Sequence, residues 1–302
     1  MSTSYHVAVI GLGAMGMGAA RSCLRAGLTT YGIDLSEQAR SQLQQAGAAA
    51  VMADARPLAE TLDAVLLLVV NAAQVRRILL GEEGLARHLK PGTAIMVSST
   101  IAAEEASALA AELAQLGLPM LDAPVSGGAI KADAGEMTVM AAGSDAAFDK
   151  LTPVLDAVAG KLYRVGSEPG QGSTVKIIHQ LLAGVHIAVA AEAMALASRA
   201  GVSLDLMYDV VTHAAGNSWM FENRMPRVLA GDYQARSAVD IFVKDLTLVA
   251  DTAKALRFPL PLASTALNMF LSASNAGHGQ EDDSAVIKTF SGITLPGQED
   301  QA

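Results

Sequence analysis

The sequence predicts an α/β chain in two parts. A doubly wound, mostly parallel sheet occupies residues 1–167, and a long helix then leads into an all-helical second domain over residues 168–302. Three observations carry this expectation. Short, continuously apolar runs alternate with helical stretches through the first half, the pattern of a parallel sheet buried on both faces. A loop cluster, Glu168-Pro169-Gly170-Gln171-Gly172, then marks a change of character. From Ser173 to Ala200 the helical pattern runs unbroken until Gly201, and no convincing strand follows it.

Taken in order, residues 7–10 form the first strand and residues 14–26 the first helix, closed by Gly27. Residues 29–33 form the second strand, and Ser36 can cap the helix after it. Apolar runs at 64–70, 94–97 and 120–121 continue the sheet, and 137–141 and 162–163 complete it. The polar tail 296–302 is expected to fray.

Composition narrows the function classes. The chain has 302 residues, 51% of them hydrophobic and 17% charged, which suits two domains with a sizeable core. A net charge of −9 and 4% aromatic residues argue against a nucleic-acid partner. Cys23 is the single cysteine, so no internal disulfide can form, as fits a reducing compartment. Residues 1–6 hold no Lys or Arg, the run 64–70 is too short for a bilayer, and His186 and Glu192 interrupt the longer run 181–197. A cytoplasmic chain with no membrane partner is expected. The six histidines lack metal-ligand spacing, so no metal is expected, and no Gly-x-Ser-x-Gly hydrolase elbow occurs.

Gly11-Leu12-Gly13-Ala14-Met15-Gly16 follows the first strand and opens the first helix. The first glycine permits the tight turn, the second lets backbone approach a pyrophosphate, and the third lets helix and strand pack closely. Asp34 ends the second strand about 20 residues on, where a carboxylate accepts from a ribose 2′-OH and repels a 2′-phosphate. Leu35 brings no compensating positive charge, so NAD is favoured over NADP. Asn71 and Ser98-Ser99-Thr100 stand just past two later strands, at the sheet edge where ligands bind. Thr100 serves the nicotinamide ribose region, caps the helix over 102–116, or does both.

Asp122-Ala123-Pro124-Val125-Ser126-Gly127-Gly128 follows another strand. Two glycines after a serine expose N–H groups that can hold an anion, although an ordinary strand-ending turn reads the same locally. Lys176 lies early in the long helix. A lysine in an apolar, partly buried setting can exchange protons with a hydroxyl, whereas most helical lysines are merely solvated.

These blocks, together with Lys244-Asp245-Leu246, stand in the order and spacing of the β-hydroxyacid dehydrogenase family, which the sequence resembles over nearly its whole length. The resemblance implies a Rossmann-type first domain, a long interdomain helix, a helical C-terminal domain, and homodimers or homotetramers. It implies that Lys176 is the catalytic acid/base and that Ser126, Gly127 and Gly128 hold the carboxylate of a small anionic hydroxy acid. It also implies that Lys244 reaches the cofactor region; read alone, Lys244 is a helix-surface cation paired with nearby carboxylates.

One departure from the family pattern is informative. Asparagines are common three and four residues after the catalytic lysine, and here His179 and Gln180 stand there. Gln180 shares a helix face with Lys176 and can still hydrogen-bond a substrate, while His179 is either a second contact or a packed neighbour. Residues 176–186, 217–224 and 238–244 resemble the branch of the family that oxidises the 2-hydroxyl of the sugar acid L-threonate with NAD. Trp219, Met220 and Phe221 either wall a pocket or belong to the core. The alternatives are an enzyme acting on 3-hydroxyisobutyrate, tartronate semialdehyde or succinic semialdehyde, and, outside enzymes, a non-catalytic NAD-binding scaffold. The presence of Lys176 weighs against the scaffold.

Overall fold

In β1 (His6–Ile10) alternate side chains enter two different apolar layers, Val7 and Val9 one, Ala8 and Ile10 the other. Every strand so placed must be covered on both faces, and the helices do the covering. The computed structural model describes residues 4–296, and its two units part between Lys176 and Ile177.

In the first unit, β1 is followed by α1 (Ala14–Arg25), β2 (Thr29–Ile33), α2 (Glu37–Gln45) and β3 (Ala50–Met52). Next come β4 (Ala64–Leu67), α3 (Ala72–Leu80), β5 (Ala94–Val97), α4 (Ala103–Gln115) and β6 (Met120–Asp122). After them stand β7 (Val125–Ser126), α5 (Gly128–Ala134), β8 (Met137–Ala142), α6 (Asp145–Val158) and β9 (Ala159–Gly166). The parallel strands lie in the order β3-β2-β1-β4-β5-β6, the Rossmann-type doubly wound order. Beyond them β8 runs antiparallel to β6 and β7, and β9 pairs parallel with β8. Leu66 and Met96 join the layer under α1, α5 and α6, whereas Val65, Leu67, Ile95 and Val97 join the one under α3 and α4. Each fully buried side chain of this size contributes about 1.5–3 kcal/mol of transfer free energy. Cys23 sits in the first layer, where burial pushes its thiol up to about 12 and leaves it unreactive.

The expected strands at 29–33 and 94–97 match β2 and β5, and the capping by Ser36 is present, its Oγ accepting from Ala39 N–H at 3.2 Å. The run 64–70 ends as a strand at Leu67, because Val69 and Val70 turn out to line a cavity described below. Two short strands, β3 and β7, had not been expected, and β9 is longer than 162–163. Thr100 does not cap α4. Ile101 is drawn into the core, so the helix starts only at Ala103, with Ala102 in the cap position.

The second unit is helical. The long helix α7 (Gln171–Arg199) continues into it and is followed by α8 (Leu204–Thr212), α9 (Trp219–Leu229), α10 (Val239–Ala255) and α11 (Pro261–Ala273). Among the described residues its β pairing is one isolated bridge, Ala238 with Asp282. Ile187, Ala191 and Met194 of α7 pack with Phe221, Met225 and Leu246, and Phe242 stacks on Phe270 at 5.2 Å. The segment after α11 is tied to α9 by a buried two-pronged ion pair, Arg224 to Asp283 at 2.6 and 2.9 Å, and by Arg227 to Asp282. By length and composition α7 could cross a bilayer, yet half of its most apolar window is buried inside the protein. Past Pro296 the tail expected to fray lies outside the described residues.

Candidate active site

Strand order reverses between β1 and β4, so a crevice opens at the carboxyl ends of these strands. The glycine turn fills its floor. Gly11 has φ +90°, and a Cβ there would stand 2.8 Å from the Leu68 carbonyl oxygen. A Cβ on Gly16 would overlap the Gly11 carbonyl, so the third glycine lets α1 sit directly on the turn. Around Gly13, in contrast, a Cβ would meet nothing within 4 Å. Gly13 caps α1 without a side chain, Ala14 and Met15 open the helix, and its first turn carries no acidic residue. A helix terminus of this kind presents unsatisfied N–H groups and partial positive charge.

Asp34 stands just past β2 and faces the same turn. Its Oδ2 accepts from Leu12 N–H at 2.6 Å and its Oδ1 from Ser36 N–H at 2.7 Å, so the carboxylate is held in place with acceptor capacity remaining. Arg40 donates to the Asp34 and Leu35 carbonyls at 2.7 and 2.9 Å, which fixes the same corner from outside. A cavity of about 660 Å³ lies between these groups, lined by Gly11, Gly13, Asp34, Val70 and Gln74 among others. Asn71 caps α3, its Oδ1 accepting from Gln74 N–H at 2.9 Å. Just past β5 the Ser98 and Ser99 hydroxyls are buried without a hydrogen-bond partner among the described residues, beside Thr100. An open helix terminus, a fixed carboxylate, a cavity between them and unsatisfied hydroxyls at the edge together fit a dinucleotide.

The second set of residues gathers around β6. Gly127 and Gly128 adopt φ +128° and +72°, and this left-handed pair turns the chain from Ser126 of β7 into α5. Asp122, four residues earlier, is fully buried. Its Oδ2 accepts from the N–H groups of Gly170 and Ser173, both at 2.8 Å, and its Oδ1 from the Ser173 hydroxyl at 2.7 Å. Burial pushes the Asp122 carboxyl above the ordinary aspartate range, and those hydrogen bonds oppose the shift without cancelling it. Lys176 follows one turn into α7 and is buried, at 6% exposure, as solvated helix lysines are not.

In the second unit, His179 Nδ1–H donates to Gln180 Oε1 at 2.9 Å, and Gln180 Nε2 donates to Asp245 Oδ2 at 2.5 Å. Lys244 Nζ lies 2.6 Å from Asp245 Oδ1. Gln180 and Asp245 are buried while His179 and Lys244 are half-buried, so the four side chains form one polar line that runs from the interior outward. Phe221 lies in the core and Met220 packs against it, while Trp219 is half exposed. Sequence reading gave Asp122, Ser173 and Asp245 no role, although Asp122 and Asp245 stand inside motifs it had singled out. Each is defined by a partner far along the chain, and for the two aspartates the only local signal is an acidic residue in a largely apolar run.

The chain is similar to known proteins over nearly its whole length. Residues 6–166 match the family described as the NAD binding domain of 6-phosphogluconate dehydrogenase. Residues 170–290 match the NAD-binding family of NADP-dependent 3-hydroxyisobutyrate dehydrogenase. An L-threonate dehydrogenase of Escherichia coli is 72% identical, covering 98% of each chain, and one of Cupriavidus necator is 55% identical, covering 98% of this chain and 99% of its own. A crystal structure titled 3-hydroxyisobutyrate dehydrogenase from Salmonella typhimurium superposes with a TM-score of 0.92 at 70% identity, covering 95% of this chain and all of that one.

Proposed function

The chain belongs to the β-hydroxyacid dehydrogenase family, and on that premise we propose that it oxidises the 2-hydroxyl of L-threonate to the 2-oxo acid. It is an NAD-dependent dehydrogenase. In this reading Gly11 and Leu12 shape the turn, with Leu12 N–H kept on Asp34, the N–H groups of Gly13, Ala14, Met15 and Gly16 hold the pyrophosphate, and Asp34 accepts from the adenosine ribose diol. Asn71, Thr100 and Lys244 contribute at the nicotinamide half. Bound NAD supplies the two-electron oxidant that takes up the hydride from the carbinol carbon.

The chain's own residues do the rest. Ser126, Gly127 and Gly128 receive the substrate carboxylate through hydroxyl and backbone donors. The Lys176 amine, in its neutral form, accepts the hydroxyl proton as the carbon–oxygen double bond forms. Gln180, with His179 beside it, fixes the orientation of the sugar acid. Residues 1–167 act as the cofactor domain, and residues 168–302 as the interdomain helix and helical domain.

A single observation carries the mechanism: Lys176 is a lysine kept buried one turn past an anchored helix start. Lys176→Ala is expected to lower kcat by about a hundredfold or more with NAD affinity retained, read by titration and steady-state assay. Turnover near wild type in that variant removes Lys176 from the reaction. A panel of both threonates, both erythronates and 3-hydroxyisobutyrate, with NAD and NADP, tests the substrate; the last is included because the similar Salmonella typhimurium protein is described as a 3-hydroxyisobutyrate dehydrogenase. Tartronate and succinic semialdehydes test the reverse direction.

The reading includes a cytoplasmic homodimer or homotetramer with neither nucleic acid nor membrane as partner. Self-association is supported by Ile178, Leu182, Val189 and Leu196, which recur along α7 and are all more than half exposed. Net charge of −9 supports the first exclusion.

A further inference from the structure

We infer that Asp122 is a positioning residue whose buried carboxylate sets the first turn of α7 and, through it, the place of the Lys176 amine. The inference rests on the acid/base reading of Lys176. The residue before α7 is Gly170, which has no side chain to cap the helix, so the first backbone N–H groups need an acceptor from elsewhere. Asp122 brings it from the end of β6. One carboxylate takes Gly170 N–H, Ser173 N–H and the Ser173 hydroxyl, and both partners are buried. The turn is also closed sterically: a Cβ on Gly172 would collide with the Asp122 carbonyl and stand 2.6 Å from that of Met140. Ser107 Oγ holds the preceding Pro169 carbonyl at 2.7 Å. Rotation or sliding of the helix start is thereby blocked.

Ser173 and Lys176 are three residues apart and share a helix face, so the bonds that fix Ser173 fix the direction in which Lys176 leaves the helix. From the same aspartate the chain runs through Ala123-Pro124-Val125 into Ser126, Gly127 and Gly128. One side chain therefore refers both the anion turn and the base to the end of one strand. A general base must lie within hydrogen-bond reach of its proton, and a misplacement of about 1 Å costs on the order of a hundredfold in rate. A cap serving stability alone would alter Tm and leave kcat of the folded enzyme unchanged.

The test compares Asp122→Asn, Asp122→Glu, Ser173→Ala and Lys176→Ala with L-threonate and NAD, reading kcat, KM, NAD affinity and the pH profile of kcat. Asp122→Asn keeps the shape, its carbonyl accepting from the two N–H groups and its amide donating to Ser173, and kcat stays within about threefold. Asp122→Glu keeps the charge but adds a methylene behind the turn, and kcat falls by about thirtyfold with NAD affinity within twofold. Ser173→Ala loses one of three bonds and lowers kcat by about threefold to tenfold. A folded Asp122→Glu enzyme with undiminished kcat overturns the inference. Should that variant fail to fold, Ser173→Ala decides: loss of threefold or more supports it, and unchanged kcat, KM and pH profile overturn it. Lys176→Ala with turnover intact would instead remove the underlying reading, whereas its inactivity beside a fully active Asp122→Glu removes only the part played by Asp122.

Discussion

Two helix starts in the first unit are made of the same parts and finished in opposite ways. A Gly-x-Gly segment marks each, Gly11-Leu12-Gly13 before α1 and Gly170-Gln171-Gly172 across the start of α7. Each helix end carries roughly half a positive elementary charge. At α1 the first turn holds no acidic residue and the space at Gly13 is open, Asp34 reaching only Leu12 N–H in the turn before the helix. At α7 the Asp122 carboxylate already occupies the equivalent place. The first terminus is left to a ligand's phosphates, and the second gives up binding capacity for rigidity. Glycine spacing alone does not separate a binding terminus from a structural one. What separates them is whether the protein supplies its own anion.

The sharpest way to break this contrast is to make α1 resemble α7. Gly13→Asp places a carboxylate at a position where a Cβ meets no atom within 4 Å, and the NAD dissociation constant of the folded variant should rise by about a hundredfold or more. Calorimetric titration showing NAD affinity within threefold of wild type would mean the phosphates lie elsewhere. A smaller effect is expected at the carboxylate beside the same turn. Asp34→Asn should narrow the preference for NAD over NADP by about tenfold in kcat/KM, equal to about 1.4 kcal/mol of discrimination. An unchanged ratio would take Asp34 out of cofactor choice.

The smallest effect concerns the anion at α7. Because the folded Asp122 carboxyl is raised above its unfolded range, its contribution to stability is fully present below the unfolded pKa and declines as pH rises through the folded one. Wild type should therefore gain on Asp122→Asn in Tm as pH is lowered from neutral toward 5. A Tm difference that stays flat, or widens against wild type on acidification, contradicts that sign.

The open terminus was legible in the sequence because everything it needs lies within β1, one turn, the start of α1 and the end of the next strand. Gly11 to Gly16 stand on those elements as expected, and Asp34 stands one residue beyond the strand it was expected to end. The filled terminus was not legible. Asp122 and Ser173 are 51 positions apart, and nothing near either predicts a partner that far away. Strand ends suffered for a related reason. The apolar run through Val70 continues past Leu67 because those side chains line a cavity, and periodicity does not distinguish a cavity wall from a core. β3 and β7, three and two residues long, are too short to show an alternation at all. Thr100 carried a good capping side chain but stands two residues ahead of the cap position, since burial of Ile101 outweighs it.

The rims of the sheet have their own consequence. β3 closes one side with three residues, and β9, along the other, carries Lys161 and Arg164 and breaks its ladder at Met137/Thr138 and again at Ala141/Ala142. Arg164 is held there over the Phe148 ring and against Asp145. A foreign strand arriving at either border finds a stub on one side and a kinked, cationic margin on the other. Crowded copies of the protein therefore lack a straight backbone template on which to zip into fibrils.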